Sequence, residues 1–427
     1  MKQHEHFPLV PVVGGEGSWL ITESGQRVLD GISSWWTNLF GHCNPRINAA
    51  LRDQLDRLEH VMLAGFTHPP VVELSERLAA LTGNRLGHAF YASDGASAVE
   101  IALKMSAHYW RNKGHPHKNR FLCLAGGYHG ETLGALGVTD MALFREAYAP
   151  LLKAAATVPT PDPRRAKGGE TAVELAHRAA AALEAHLLHH HAEIAALIVE
   201  PLVQGAAGMV MYEPEYLRLV RTLCDRFNVL LIADEIAVGN GRTGTYFAWE
   251  QVTTEHHPRW PDFICLSKGI TGGYLPLSLV LTTDEVYGAF YADSTAKAFL
   301  HSHSYTGNVL ACRAALATLD IFKEDNVIVS NRLRAEQLDR LLQRRFVNHP
   351  AIRHLRQRGM IAAFDVEGAP PDFAHRFSSA ALERNVLLRP IGNTVYFMPP
   401  YVMNDSELLL LVDGALGALD ATLAPRA

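Results

Sequence analysis

Three short apolar runs constrain this chain most: AALIVEPL at 195–202, VLLIADEI at 229–236 and DFICLSK at 262–268. Each is almost continuously hydrophobic rather than alternating, the pattern of a strand covered on both faces, as central strands of a parallel sheet are. Parallel neighbours need a crossover, and Pro214–Phe227 supplies a helix between the first two runs. The expected class is therefore α/β, a large domain with a mainly parallel sheet and helices on its faces. Beyond about residue 315 the pattern changes: a long helical stretch over 311–345 leads into AAFDVEG, VLLRP and TVYFMPP, the short strands of a smaller α+β domain. Near the start, residues 16–30 read as two strands around a Ser24-Gly25 turn, a hairpin suited to packing with that smaller domain. The expected organisation is a segment over 1–45 belonging with the small domain, a large domain over 46–314 and a small domain over 315–427.

Charge and cysteine usage exclude several function classes. A formal net charge of −5 leaves no basic footprint for nucleic acid or for an anionic membrane surface. No apolar run reaches the roughly 18 residues of a membrane span, and the opening MKQHEHFPLVPVV lacks the apolar region of a signal peptide. The five cysteines are odd in number and far apart without a CxxC, which fits a reducing cytoplasm. His186, His189, His190 and His191 crowd the end of an Ala-rich helix, but a solvated helix face accounts for them, and no metal is expected.

The chemistry lies at the ends of the apolar runs. Asp234 and Glu235 close one strand, where the ligand crevices of open α/β sheets form. The next strand ends in Ser267-Lys268-Gly269, followed by Gly272-Gly273, so Lys268 emerges from apolar surroundings into the same crevice. A desolvated lysine has a lowered pKa and attacks carbonyls. Ser93-Asp94-Gly95-Ala96-Ser97 precedes an amphipathic helix with Val99, Leu103, Ser106 and Trp110 on one stripe, and a helix N-terminus offers free N–H groups to a phosphate. Alone, each feature has an ordinary explanation: a structural or Mg²⁺-binding aspartate, a helix cap, a surface lysine. Together they meet the needs of pyridoxal phosphate, which requires a phosphate cradle, an acid at its ring nitrogen and a lysine for its carbonyl.

The phrases SDGASAVEIALK, GGYHGET, IVEPLVQGAAGM, LIADEI with GRTGTYFA, and CLSKGITGGYLPLS together resemble the class III aminotransferases, pyridoxal-phosphate enzymes of fold type I. The resemblance runs over nearly the whole chain. It implies that Lys268 binds the cofactor as a Schiff base and shuttles protons, that Asp234 partners the ring nitrogen, and that Ile236 packs under the ring. Tyr128 is implied over the opposite face, and Asp94, Gly95 and Ala96 at the phosphate. Ser304 matches a residue given to the neighbouring subunit's phosphate, with Ser302 and His303 beside it, which implies a homodimer with shared active sites.

SSWW at 33–36, HVMLAGFTHPP at 60–70 and RPIGNTVYFMPPY at 389–401 narrow the resemblance. They are similar to the branch that moves the amino group of S-adenosylmethionine to 8-amino-7-oxononanoate in biotin formation, in a ping-pong reaction. By that resemblance Trp35 and Trp36 form an apolar wall and Arg389 binds a carboxylate, with Arg242 and Tyr396 as further substrate candidates. By composition alone a Trp pair is more often core, and an Arg-Pro at a strand end more often a surface charge. The chain departs from the family pattern at Val238 and Asn240 in DEIAVGNGRTG and at Ala96, which lacks a hydroxyl; it begins just after the place of the family's Trp-His-Pro segment. Alternatives are an ω-amino-acid aminotransferase, a relative using lysine as donor, and a protein that binds the cofactor without catalysis.

Overall fold

A computed structural model describes residues 9–253 and 259–424. Residues 1–8, the start of the expected N-terminal segment, lie outside them. The chain divides into two compact units. One comprises Leu51–Asn240 and Thr245–Thr318; the other comprises the residues up to Ala50, Gly241–Gly244 and those from Leu319 onward. Among the described residues no helix is long and apolar enough to cross a membrane.

The larger unit is built on a seven-stranded sheet in the order His88–Ala92, Ser278–Thr282, Phe263–Leu266, Leu230–Asp234, Ile194–Val199, Arg120–Leu124, Ala156–Val158. All neighbours pair in parallel except Ser278–Thr282, which is antiparallel on both sides. The three apolar runs are the central strands, and every residue of 194–199, 230–234 and 263–266 is buried. Helix Pro214–Phe227 begins on a proline, whose fixed φ suits a first turn, and ends at Asn228 in the left-handed conformation (φ 54°). It buries Tyr216, Leu217, Val220, Leu223, Cys224 and Phe227, one face at helical spacing. Register then sets chemistry: Asp234 pairs with Cys265, so the acid that closes one strand lies level with the residue three before Lys268.

The smaller unit has a four-stranded sheet, Val12–Glu16, Trp19–Thr22, Arg27–Asp30 and Val386–Leu387, and a three-stranded antiparallel sheet, Ile352–Arg358, Ile361–Val366 and Thr394–Phe397. The hairpin around Gly25 (φ 81°) forms, and its Arg27–Asp30 strand pairs in parallel with Val386–Leu387. Phe346, Phe364 and Phe397 meet in its core, the first two with ring centroids 4.7 Å apart. The helical stretch over 311–345 forms as two helices rather than one. Val309–Glu324 and Val327–Phe346 are separated at Asn326, whose left-handed backbone (φ 47°) breaks the turn.

Candidate active site

Within the larger unit, a cluster of ionisable groups collects at the carboxyl ends of the central strands. Lys268 follows Phe263–Leu266 with a left-handed backbone (φ 47°), a conformation costly for any residue but glycine, and one that tends to occur where function fixes a side chain. The following turn is relieved by Gly272 (φ 64°) and Gly273 (φ 90°). Lys268 is half-buried, and desolvation lowers its pKa, while the nearby charges of Asp234 and Glu200 oppose that shift.

Asp234 is 4% exposed and closes its strand. Its Oδ1 accepts the backbone N–H of Ile236 at 3.1 Å, and its Oδ2 lies 2.7 Å from His129 Nδ1, the ring nitrogen being the donor to a carboxylate. Glu200, closing the strand beside it, is buried and pushed up to about 7, first by burial and then by Asp234, against the pull of His129. Its two oxygens accept the backbone N–H groups of Tyr128 (3.1 Å) and Gly205 (3.0 Å). Tyr128 is half-buried and its hydroxyl donates to Glu131 Oε1 at 2.9 Å; burial and that bond both raise its pKa.

The turn into helix Gly95–Asn112 joins the same cluster. Asp94 is its N-cap, accepting from Ser97 N at 3.0 Å and from Ser97 Oγ at 2.7 Å. A Cβ on Gly95 would come within 3.1 Å of Ile236 Cδ1, so the bare backbone of the helix start packs on the side chain two places after Asp234. A Cβ on Gly130 (φ 121°) would lie 2.6 Å from the Ala96 Cβ. That crowding gives Ala96 a reason to be small, and it ties the Tyr128–Gly130 loop to the helix start.

These residues fit pyridoxal phosphate. The first-turn N–H groups of a helix lack intrahelical acceptors and suit a phosphate. Asp234, buried with no arginine or lysine salt bridge among the described residues, suits a cationic ring nitrogen. The amine of Lys268 lies within electrostatic reach of that carboxylate.

Ser302, His303 and Ser304 are on a loop instead. Ser302 and Ser304 are exposed, the Ser304 carbonyl meets His60 Nε2 at 2.7 Å, and the His303 N–H donates to Thr306 Oγ1 at 3.1 Å. Val238 and Asn240 are buried, at 1% exposure each, and Asn240 takes a left-handed backbone that Asn tolerates. They shape the chain before Gly241 rather than face solvent.

The other candidates belong to the smaller unit. Arg389 is exposed, with its guanidinium 4.9 Å from the centroid of the Trp35 ring, and among the described residues it has no carboxylate partner. Trp36 Nε1 donates to the Tyr396 hydroxyl at 3.1 Å, the rings meeting edge to face at 6.0 Å. Burial pushes Tyr396 up to about 12, so its hydroxyl keeps its proton at neutral pH. Trp35 and Trp36, expected to form one apolar wall, differ in exposure, at 57% and 8%.

Arg242, the other substrate candidate of the smaller unit, is packed inside it. It is 1% exposed, and its guanidinium donates to the carbonyls of Pro399 (2.7 Å), Asn38 (3.3 Å), Met398 and Trp36 (3.5 Å each). It also lies 4.9 Å from the Tyr401 ring centroid. A fork donating to carbonyls in a packed interior binds main chain together.

His129 and Glu200 were not singled out from sequence. The signal for Glu200 was the one that exposed Asp234, an acid ending an apolar run; His129 stood beside Tyr128 in GYHG without its own signal, because its partner is distant in sequence.

The family described as aminotransferase class-III matches residues 1–418. The adenosylmethionine-8-amino-7-oxononanoate aminotransferase of Helicobacter pylori is 44% identical, over 98% of this chain and 94% of that one. The solved structure of the Methanocaldococcus jannaschii enzyme of the same name superposes with a TM-score of 0.92 at 33% identity, over 99% of this chain and 95% of that one. An amine transaminase from an uncultivated Pseudomonas species, solved in its PLP-bound form, superposes with a TM-score of 0.91 at 31% identity, over 98% and 96%.

Proposed function

The chain belongs to the class III aminotransferases, and from that premise we propose that it transfers the amino group of S-adenosylmethionine to 8-amino-7-oxononanoate, giving 7,8-diaminononanoate for biotin formation. As a member of that family it is a pyridoxal-phosphate-dependent transaminase. Fold alone does not choose the substrate, since the amine transaminase superposes almost as well as the biotin-pathway enzyme. The observation that carries the choice is the exposed Arg389 guanidinium above the Trp35 indole. A cation with no carboxylate partner among the described residues, on an apolar ring, suits a carboxylate borne on an aliphatic chain. Trp36 and Tyr396 are buried behind that face, the Tyr396 hydroxyl accepting from Trp36 Nε1.

The cofactor supplies a carbonyl to receive the amino group and a conjugated ring to accept electrons from the carbon that bore it. The chain's residues do the rest. Gly95 and Ala96 offer backbone N–H groups to the phosphate, with Asp94 capping the turn. Asp234, oriented by His129 Nδ1, would keep the ring nitrogen protonated. Ile236 and Tyr128 would lie against the two faces of the ring. Lys268 Nζ would anchor the cofactor and, held neutral more readily by desolvation, would take and return the proton at the amine-bearing carbon.

The reading includes a cytoplasmic homodimer in which Ser304, with Ser302 and His303, serves the neighbouring copy. In support, this loop is exposed together with Leu300 (79%), Tyr305 (65%), Phe66 (59%) and Met62 (55%), large apolar groups that a second copy would cover.

A spectral titration tests the substrate assignment. S-adenosylmethionine should convert the bound cofactor's visible absorbance to that of its amine form, and the oxononanoate should then restore it. Conversion by ω-amino acids or lysine, but not by S-adenosylmethionine, would replace the proposed donor. No conversion by any donor, with normal cofactor absorbance, would mark a binding protein.

A further inference from the structure

Four consecutive residues, none of them glycine, have left-handed backbones: Ser33 (φ 53°), Ser34 (φ 46°), Trp35 (φ 72°) and Trp36 (φ 73°). L-residues visit this region singly, because Cβ crowds the following carbonyl, and a whole turn of it must be held by its surroundings. One side chain holds most of this turn. Asp30 is 0% exposed at the end of strand Arg27–Asp30. Its Oδ1 accepts the Ser34 N–H at 2.9 Å and the Ile32 N–H at 3.4 Å; its Oδ2 accepts the Ser34 hydroxyl at 2.7 Å and lies 3.0 Å from His42 Nε2. The Ser33 hydroxyl fixes the turn from the other side, donating to the Met398 carbonyl at 2.7 Å.

The hand of the turn decides where two tryptophans go. With this hand Trp35 stands exposed beneath the Arg389 guanidinium, while its neighbour Trp36 turns inward to Tyr396. The right-handed alternative would reverse the sense in which successive side chains are displayed and separate Trp35 from Arg389. We propose that Asp30 is a positioning residue for substrate recognition: its buried carboxylate holds the left-handed turn Ser33–Trp36 so that Trp35 and Arg389 act as one carboxylate-binding face. The inference rests on the reading of Trp35 and Arg389 as a substrate face. It adds a specificity role for a residue that touches neither of them.

The test is a double-mutant cycle on the holoenzyme with Asp30→Asn and Arg389→Ala. Asp30→Asn keeps shape but loses acceptors and charge. It should raise KM for the oxononanoate about tenfold, the scale of a lost charge-assisted hydrogen bond, with kcat within about threefold and cofactor absorbance unchanged. In the Arg389→Ala background the same substitution should add less than about threefold, because the face is already broken. Ser34→Ala, which removes one bond to Asp30, should show the same non-additivity at smaller size, and it carries the cycle if Asp30→Asn does not fold. Asp30→Glu should recover part of the KM. Equal effects in both backgrounds, or lower thermal stability with KM unchanged, would overturn the proposal and leave Asp30 a structural residue only. A wild-type chain that rejects the oxononanoate overturns the substrate assignment instead, and the cycle is then read with whichever carboxylate-bearing substrate the wild type accepts.

Discussion

His129 Nδ1 lies 2.7 Å from Asp234 Oδ2, and both side chains are almost wholly enclosed, at 3% and 4% exposure. A charge-assisted bond at such depth fixes the carboxylate's orientation as well as its charge. His129→Ala should weaken cofactor retention about ten- to hundredfold, the scale of one hydrogen bond to a buried charge. Dialysis against cofactor-free buffer, followed by visible absorbance, measures it; retention equal to wild type would show that Asp234 needs no support.

Lys268 should be indispensable. Lys268→Ala should lose the visible absorbance of the covalently held cofactor and at least about a thousandfold in turnover, since anchor and proton carrier vanish together. Steady-state assays and a spectrum suffice, and substantial residual turnover would remove Lys268 from the chemistry.

Arg389 should act on binding and not on chemistry. Arg389→Ala should raise KM for a carboxylate-bearing substrate roughly tenfold or more, with cofactor absorbance intact and kcat nearly kept. An unchanged KM would return Arg389 to the surface charges.

Arg242 should behave as part of the core. Arg242→Ala leaves carbonyls without donors and a void beside Tyr401, and should lower stability by about 3 kcal/mol or more. Arg242→Lys should also destabilise, because an ammonium cannot reproduce the planar fork. Denaturation midpoints check both, and a fall in substrate affinity at full stability would instead restore Arg242 to the substrate.

Glu200 links the site to pH. Its pKa is raised from 4.5 to about 7 by burial. Between those values the folded chain binds more protons than the unfolded one, so this group makes stability fall as pH rises through the window and level off above it. Glu200→Gln should flatten that part of the stability profile, as followed by denaturation from pH 4.5 to 8; an unchanged slope would assign it to other groups.

The apolar runs at 195–202, 229–236 and 262–268 determined the architecture by themselves, because uninterrupted burial of both strand faces has few solutions besides a covered parallel sheet. The same runs placed Asp234 and Lys268 at strand ends, and the residues before helix Gly95–Asn112 read as its start, because capping is local in sequence. Tertiary structure alone decided the rest. It paired His129 with Asp234 and Glu200 with the Tyr128 backbone, contacts between residues far apart along the chain. It buried Arg242 among carbonyls, although its GRTG setting could equally have stood open, and it separated Trp35 from Trp36 through a left-handed turn that no propensity favours. Sequence periodicity reports which faces are apolar; the partner of a polar side chain and the hand of a strained turn are fixed by groups that only folding brings near.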